Sequence, residues 1–165
     1  VDDAFAHDAA FTPAERERLV QLYGDPALTL VPLLMERAAE ALTELRALGL
    51  RLALISNTQR TPGRVLRQIL GDYDLVPLFD TLIFSDEVGL AKPNPAIFHL
   101  ALERLGTTPE ATLHIGDDLV LDLQGAHAAG MAACIVRLER PLELTSADRW
   151  VPYFKDVPEV IRGLL

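Results

Sequence analysis

The sequence predicts an α/β domain, with a mainly parallel sheet and helices packed on both faces. Three observations carry that prediction. Short apolar runs recur at 52–55, 82–84, 113–115 and 132–136, too brief for helices and suited to strands buried on both sides. Longer segments with helical periodicity alternate with them. The connections are short throughout, and no internal repeat or low-complexity tract interrupts the alternation.

Each element has a local signal. Thr12-Pro13-Ala14-Glu15 has the form of a capping box with proline at the first helical position, and opens a helix to about Tyr23. Gly24, Asp25 and Pro26 break it. A long helix is expected from Pro32 to Leu48, with Leu34, Ala38, Ala41, Leu42, Leu45 and Leu48 on one stripe and Gly49 as its C-terminal cap. The strand Leu52–Ile55 follows. Thr61-Pro62 then opens a helix through Val65, Leu66, Ile69 and Leu70. After the strand Leu82–Phe84, Asn94-Pro95 starts a helix carrying Ile97, Phe98, Ala101, Leu102 and Leu105, closed by Gly106. Leu113–Ile115 is a third strand, Leu119–Ala129 a helix closed by Gly130, and Ala132–Val136 a fourth strand. A weak strand near Trp150 and a short helix from Pro158 complete the chain. The segment before Asp25 fits the alternation poorly and reads as a separate small element.

Composition narrows the function. The 165 residues carry 15 basic and 24 acidic side chains, a net charge of -9, with no concentration of Lys or Arg. A nucleic-acid footprint needs a basic face, and so does an anionic membrane surface; neither is present. No apolar run approaches the ~20 residues of a spanning helix, and the N-terminus is acidic rather than signal-like. One cysteine, Cys134, excludes an internal disulfide and a cysteine metal cage. A soluble, cytoplasmic domain is the expectation.

In a doubly wound sheet, ligands sit at the carboxyl ends of the strands. Ser56-Asn57-Thr58 follows the first apolar run, Lys92-Pro93 lies in the loop after the second, and Gly116-Asp117-Asp118 follows the third, with Asp122 four residues beyond Asp118. Three carboxylates so close repel one another unless a cation offsets them. An oxygen-rich cluster of this kind suits magnesium, which takes one or two carboxylates, waters and a substrate phosphate. Ser56 and Asn57 supply a hydroxyl, an amide and backbone N–H groups for a phosphoryl oxygen, and Lys92 can neutralise it. Alone, each has a plainer reading as a cap, a turn or a surface lysine. The histidines offer less: His114 reads as a hydrogen-bonded core residue, His127 sits in the helix after the aspartates, and His7 and His99 have no partners at ligand spacing. There is no nucleophile-elbow serine, no Walker lysine and no dinucleotide fingerprint.

The order Leu54-Ile55-Ser56-Asn57, then Lys92-Pro93-Asn94-Pro95-Ala96-Ile97-Phe98, then His114-Ile115-Gly116-Asp117-Asp118-Leu119-Val120-Leu121-Asp122 resembles the haloacid dehalogenase (HAD) superfamily. The likeness is to the second, third and fourth motifs of the helical-cap branch, from about Pro32 to Val136. It implies a Rossmann-like three-layer core and magnesium-dependent phosphoryl transfer through an aspartyl-phosphate. By the same resemblance Ser56 holds the transferring phosphoryl group, Lys92 balances its charge, and Asp117 and Asp118 bind magnesium in a cluster completed by Asp122; Asn57 is expected beside them as a substrate-binding residue from its own amide. Within that cluster, Asp122 is expected to orient rather than coordinate.

The family's first motif, an apolar strand ending in Asp-x-Asp-x-Thr with the nucleophile, has no match. Asp2 and Asp3 have no strand before them, and Asp8 is followed by Ala-Ala-Phe-Thr. Residues 1–31 are therefore expected to be a remnant of the helical cap and its linker, and 32–165 the core. In the family sheet the first strand is central, between the strands that end at Ser56 and before Asp117. Strands lie ~4.8 Å apart, so its omission leaves a slot of about 9.6 Å. Buried unpaired backbone groups each cost about 1–3 kcal/mol. Three arrangements are expected: a longer protein of which this is a piece, closure of the two flanking strands, or filling by another segment or chain. Pairing between copies, a homo-oligomer, is one form of the last.

The expected function is a magnesium-dependent phosphatase on a small phosphorylated metabolite, with the chain alone inactive for want of its nucleophile. The alternatives are a non-catalytic HAD-like binding or assembly protein and, less favoured by the aspartate run, a 2-haloacid dehalogenase.

Overall fold

The structure, a computed structural model, describes residues 11–165; Asp2, Asp3, His7 and Asp8 lie outside the described residues. Helix α1 (Pro13–Gly24) begins at the capping box: the Thr12 hydroxyl accepts the Glu15 amide at 3.3 Å and the Glu15 carboxylate accepts the Thr12 amide at 2.8 Å. A single turn, α2 (Pro26–Thr29), follows. The long helix expected from Pro32 is shorter, because α3 spans only Ala38–Ala47. Arg37 adopts a φ of 56°, which a right-handed helix cannot pass through. Leu33, Leu34 and Met35 stand exposed, so the N-terminal part of the stripe lacks the packing that holds a helix. Ala38, Ala41, Leu42 and Leu45 are buried as expected. Gly49, at a φ of 80°, turns the chain out of the helix.

Strand β1 (Ala53–Ser56) pairs in parallel with β2 (Thr81–Phe84), Ser56 opposite Phe84. Helix α4 (Gly63–Asp72) crosses between them, and its first residue must be glycine: a Cβ there would lie 2.6 Å from that of Phe84. After β2 come the short α5 (Ser85–Val88) and then α6 (Pro95–Leu105), capped by the Asn94 side chain on the Ala96 amide and ended by Gly106. Strands β3 (Leu113–Gly116), β4 (Ala132–Val136) and β5 (Arg149–Val151) form a second parallel sheet in that order. The helix expected over 119–129 divides into a π-helical segment, Leu119–Gln124, and α7 (Gly125–Ala128). Helix α8 (Val157–Arg162) ends the chain.

Three layers follow from the side-chain alternation of β4. Ala133 and Ile135 enter one apolar cluster with Ile97, Phe98, Ala101 and Leu102 of α6 and Ala126 of α7. Cys134 points the other way, to Leu45 of α3, Val151 of β5 and Val157 and Ile161 of α8. The two sets of helices therefore cover opposite faces.

The sheet is not continuous. Among the described residues, β1 pairs only with β2 and β3 only with β4, and no strand lies between β1 and β3. A cavity of about 360 Å³ occupies that place, and every residue from 52 to 55 and from 112 to 115 lines it. This corrects two expectations. The flanking strands have not closed together. Neither is fully buried on both faces: all four residues of β1 and of β3 are half-buried, whereas β2 and β4 have buried interiors.

Candidate active site

The site lies where β1 and β3 end. Ser56 is the last residue of β1, and its hydroxyl makes no hydrogen bond among the described residues. Asn57, the next residue, spends its whole amide on the backbone of Lys92. It donates from Nδ2 to the Lys92 carbonyl and accepts the Lys92 amide at Oδ1, both at 2.8 Å. The side chain expected to touch substrate fixes the backbone of the lysine. Lys92 begins a cis peptide to Pro93, and its ammonium donates to Asp122 Oδ1 at 2.6 Å.

Asp122 is the hub. Its side chain is 3% exposed and accepts four donors: Lys92 Nζ and His114 Nε2 (2.8 Å) at Oδ1, and the amides of Asp117 (3.1 Å) and Asp118 (3.0 Å) at Oδ2. Burial disfavours its charge, but the hydrogen bonds from His114 and Lys92, the lysine's charge and the Asp118 amide outweigh that and hold the carboxyl well below the usual range. All its acceptor positions are occupied, which suits the orienting role over direct coordination. The local chain is shaped for this contact. A Cβ on Gly116 would run into the Asp122 carboxylate. The amides of both Asp122 and Leu123 bond the Asp118 carbonyl, the widened turn of the π-helix. Gly125 lets this segment sit against α6, since a Cβ there would be 2.7 Å from the Phe98 ring.

Asp117 and Asp118 are exposed at the rim. Asp118 Oδ1 caps the π-helix through the Val120 (2.8 Å) and Leu121 (2.7 Å) amides. Its second oxygen and the whole Asp117 carboxylate have no protein donor among the described residues. Hard, unsatisfied carboxylate oxygens at the rim fit a hydrated divalent ion such as magnesium. The same residues do not make a cage: among those described, no three His, Cys, Asp or Glu side chains converge to hold a metal by themselves.

The bonds from Asn57 to Lys92, from Lys92 to Asp122 and from Asp122 to Asp117 also place the carboxyl ends of β1 and β3 on one rim. Lys92 and the aspartates are thus bonded into one cluster there, and Ser56 precedes the Asn57 that braces it.

Two groups were hidden from sequence reasoning. His114 was legible as a hydrogen-bonded residue, but its partner eight residues away depends on the turn between them. Asp148 carried no signal at all. Its buried carboxylate accepts His127 Nε2 (3.0 Å), the Ala133 amide (2.8 Å) and both the amide (2.8 Å) and hydroxyl (2.7 Å) of Thr145. A third local device, the Thr58 hydroxyl on Asp86 (2.7 Å) with the Thr58 amide on Ser85 Oγ (2.8 Å), ties the loop after β1 to that after β2.

Comparison with known proteins identifies the family. The chain is 36% identical over 128 residues to the haloacid dehalogenase-like hydrolase domain-containing protein 3 of Mus musculus, covering 78% of this chain and 49% of that one. It is 40% identical over 110 residues to the glyceraldehyde 3-phosphate phosphatase of Methanothermobacter thermautotrophicus, covering 66% and 45%. It spans about half the length of the curated relatives it matches. The crystal structure of a HAD phosphatase from Thermococcus onnurineus superposes with a TM-score of 0.66 at 22% identity, over 99% of this chain and 87% of that one, a likeness of fold. Residues 2–130 match the haloacid dehalogenase-like hydrolases as a family, and the chain belongs to that family.

Proposed function

We propose that this chain is the core of a magnesium-dependent phosphatase acting on a small phosphorylated metabolite. The observation that supports the reading is the buried Lys92–Asp122 pair, braced by Asn57 directly after Ser56, with two rim carboxylates carrying unsatisfied oxygens on the adjoining turn. Ser56 and the Lys92 ammonium hold the phosphoryl oxygens. Asn57 fixes Lys92 from behind, and Asp122 aims it while holding the Asp117–Asp118 turn. Asp117 and Asp118 hold the magnesium ion, which supplies positive charge against the phosphoryl group. The relatives named as phosphatases of phosphorylated metabolites support the substrate class.

The attacking carboxylate belongs, on this reading, to a strand seated between β1 and β3, where its end would meet Ser56 and Lys92. Residues 11–31, with α1 and α2, belong to the cap side. They touch the core through a 2.7 Å ion pair from Arg64 to Asp25 and through Arg60 lying over the Tyr23 ring. Among the described residues no helix is long and apolar enough to cross a membrane. With a lone buried cysteine, a cytoplasmic setting fits.

The chain alone is expected to release little or no phosphate from p-nitrophenyl phosphate, with or without magnesium. It should still bind inorganic phosphate in magnesium, measured by calorimetry, and Lys92→Met should abolish that binding. Magnesium-dependent turnover by this chain would overturn the assignment of the nucleophile. Phosphate affinity unchanged by Lys92→Met would overturn the site.

A further inference from the structure

We propose that His114 is a positioning residue of this site: its Nε2–H fixes the Asp122 carboxylate and thereby aims the Lys92 ammonium. The inference deepens the phosphate-site reading and rests on it for the ligand.

The geometry is specific. His114 Nε2 and Lys92 Nζ meet the same atom, Asp122 Oδ1, at 2.8 and 2.6 Å. A carboxylate oxygen only accepts, so Nε2 must carry the proton. Oδ2 is meanwhile held by two backbone amides of the Asp117–Asp118 turn. With three points fixed by the protein, the carboxylate cannot rotate, and the lysine has one lone-pair direction left at Oδ1. Removing the His114 donor frees that oxygen to swing, and the ammonium swings with it. The ring itself is locked. It is 10% exposed and stands edge-on to Phe98, with centroids 4.9 Å apart and planes at 81°.

His114 also belongs to the wall of the cavity between β1 and β3. It therefore links the backbone of β3 to a lysine held by Asn57 just beyond β1. A histidine kept only for packing would need no such partner, because Phe98 and the strand would hold an apolar ring as well.

The test uses the full chain with His114→Phe, which keeps a ring against Phe98 and loses the donor, and His114→Gln, whose amide N–H can replace Nε2–H. Phosphate affinity in magnesium is expected to fall about tenfold in His114→Phe, the scale of one charge-assisted hydrogen bond, and to return to within about threefold in His114→Gln. The NMR signal of the Lys92 ammonium supplies a second readout. It should shift or broaden in His114→Phe and recover in His114→Gln. If His114→Phe does not fold, His114→Asn, too short to reach Asp122, takes its place. Unchanged affinity and an unchanged Lys92 signal in a folded donor-less variant would overturn the inference. If the unsubstituted chain binds no phosphate, the site reading fails, and the Lys92 signal alone decides the role of His114.

Discussion

Asp122→Asn isolates what the hub contributes to folding. The carboxylate accepts four donors, two on each oxygen. An amide accepts at only one end, so whichever way it turns, two donors face an N–H. If the amide oxygen keeps the backbone pair, Lys92 and His114 lose their acceptor; the reverse turn strands the amides of Asp117 and Asp118. The lysine also loses its counter-charge in a place where it is 13% exposed. Breaking a buried pair from one side costs about 3–5 kcal/mol. The partial access of Lys92 to water puts the expected loss at about 3 kcal/mol, much of the stability of a typical domain. Urea unfolding at neutral pH, followed by Trp150 fluorescence and far-UV dichroism, measures it. The double variant Lys92→Met/Asp122→Asn should lose less than the two single losses summed, because no charge is left stranded. A loss under about 1 kcal/mol, the value of a surface pair, or strict additivity would refute the reasoning.

Gly116→Ala should destabilise by about 1–3 kcal/mol, since the new methyl group meets the Asp122 carboxylate. Gly71→Ala in α4, which meets nothing within 4 Å, should be neutral or stabilising in the same thermal melts. Asp148 gives a pH prediction. Burial opposes its charge, but the hydrogen bonds from His127, Ala133 and Thr145 outweigh it and hold the pKa down to about 2, against an ordinary 3.8. A depressed carboxyl stabilises above its unfolded value and loses that as pH falls through the folded one. Roughly 2 kcal/mol should therefore vanish between pH 4 and pH 2. Asp148→Asn should flatten that fall; parallel stability curves for the two proteins would count against the assignment.

Much of this was legible in the sequence, for identifiable reasons. Thr12-Pro13-Ala14-Glu15, Asn94-Pro95 and Gly106 are local signals, and the helices start and stop where they say. The joining of Lys92 to the Asp117–Asp122 turn at the carboxyl rim could be read because both follow strands of a parallel sheet. The misreadings share one cause. Leu34 has the right spacing for the α3 stripe, yet spacing carries no information about whether a surface waits to be covered. The π-helical turn at Leu119–Gln124 was invisible because it answers to a distant contact: it brings Asp122 back onto Gly116, and Gly125 onto Phe98. The use of Asn57 as a brace for Lys92 depends likewise on a loop folding back across 35 residues.

The interrupted sheet gives the polar cluster a second duty. Among the described residues no backbone ladder joins the β1–β2 half to the β3–β4–β5 half, and at the carboxyl rim the two are clasped by Asn57, Lys92, Asp122 and His114. The groups proposed to grip an anion are also a latch between two blocks. Since Ile83 of β2 and Ala133 and Ile135 of β4 share one apolar cluster with α6, loosening the clasp is expected to free the carboxyl rim while the buried core keeps the two blocks together.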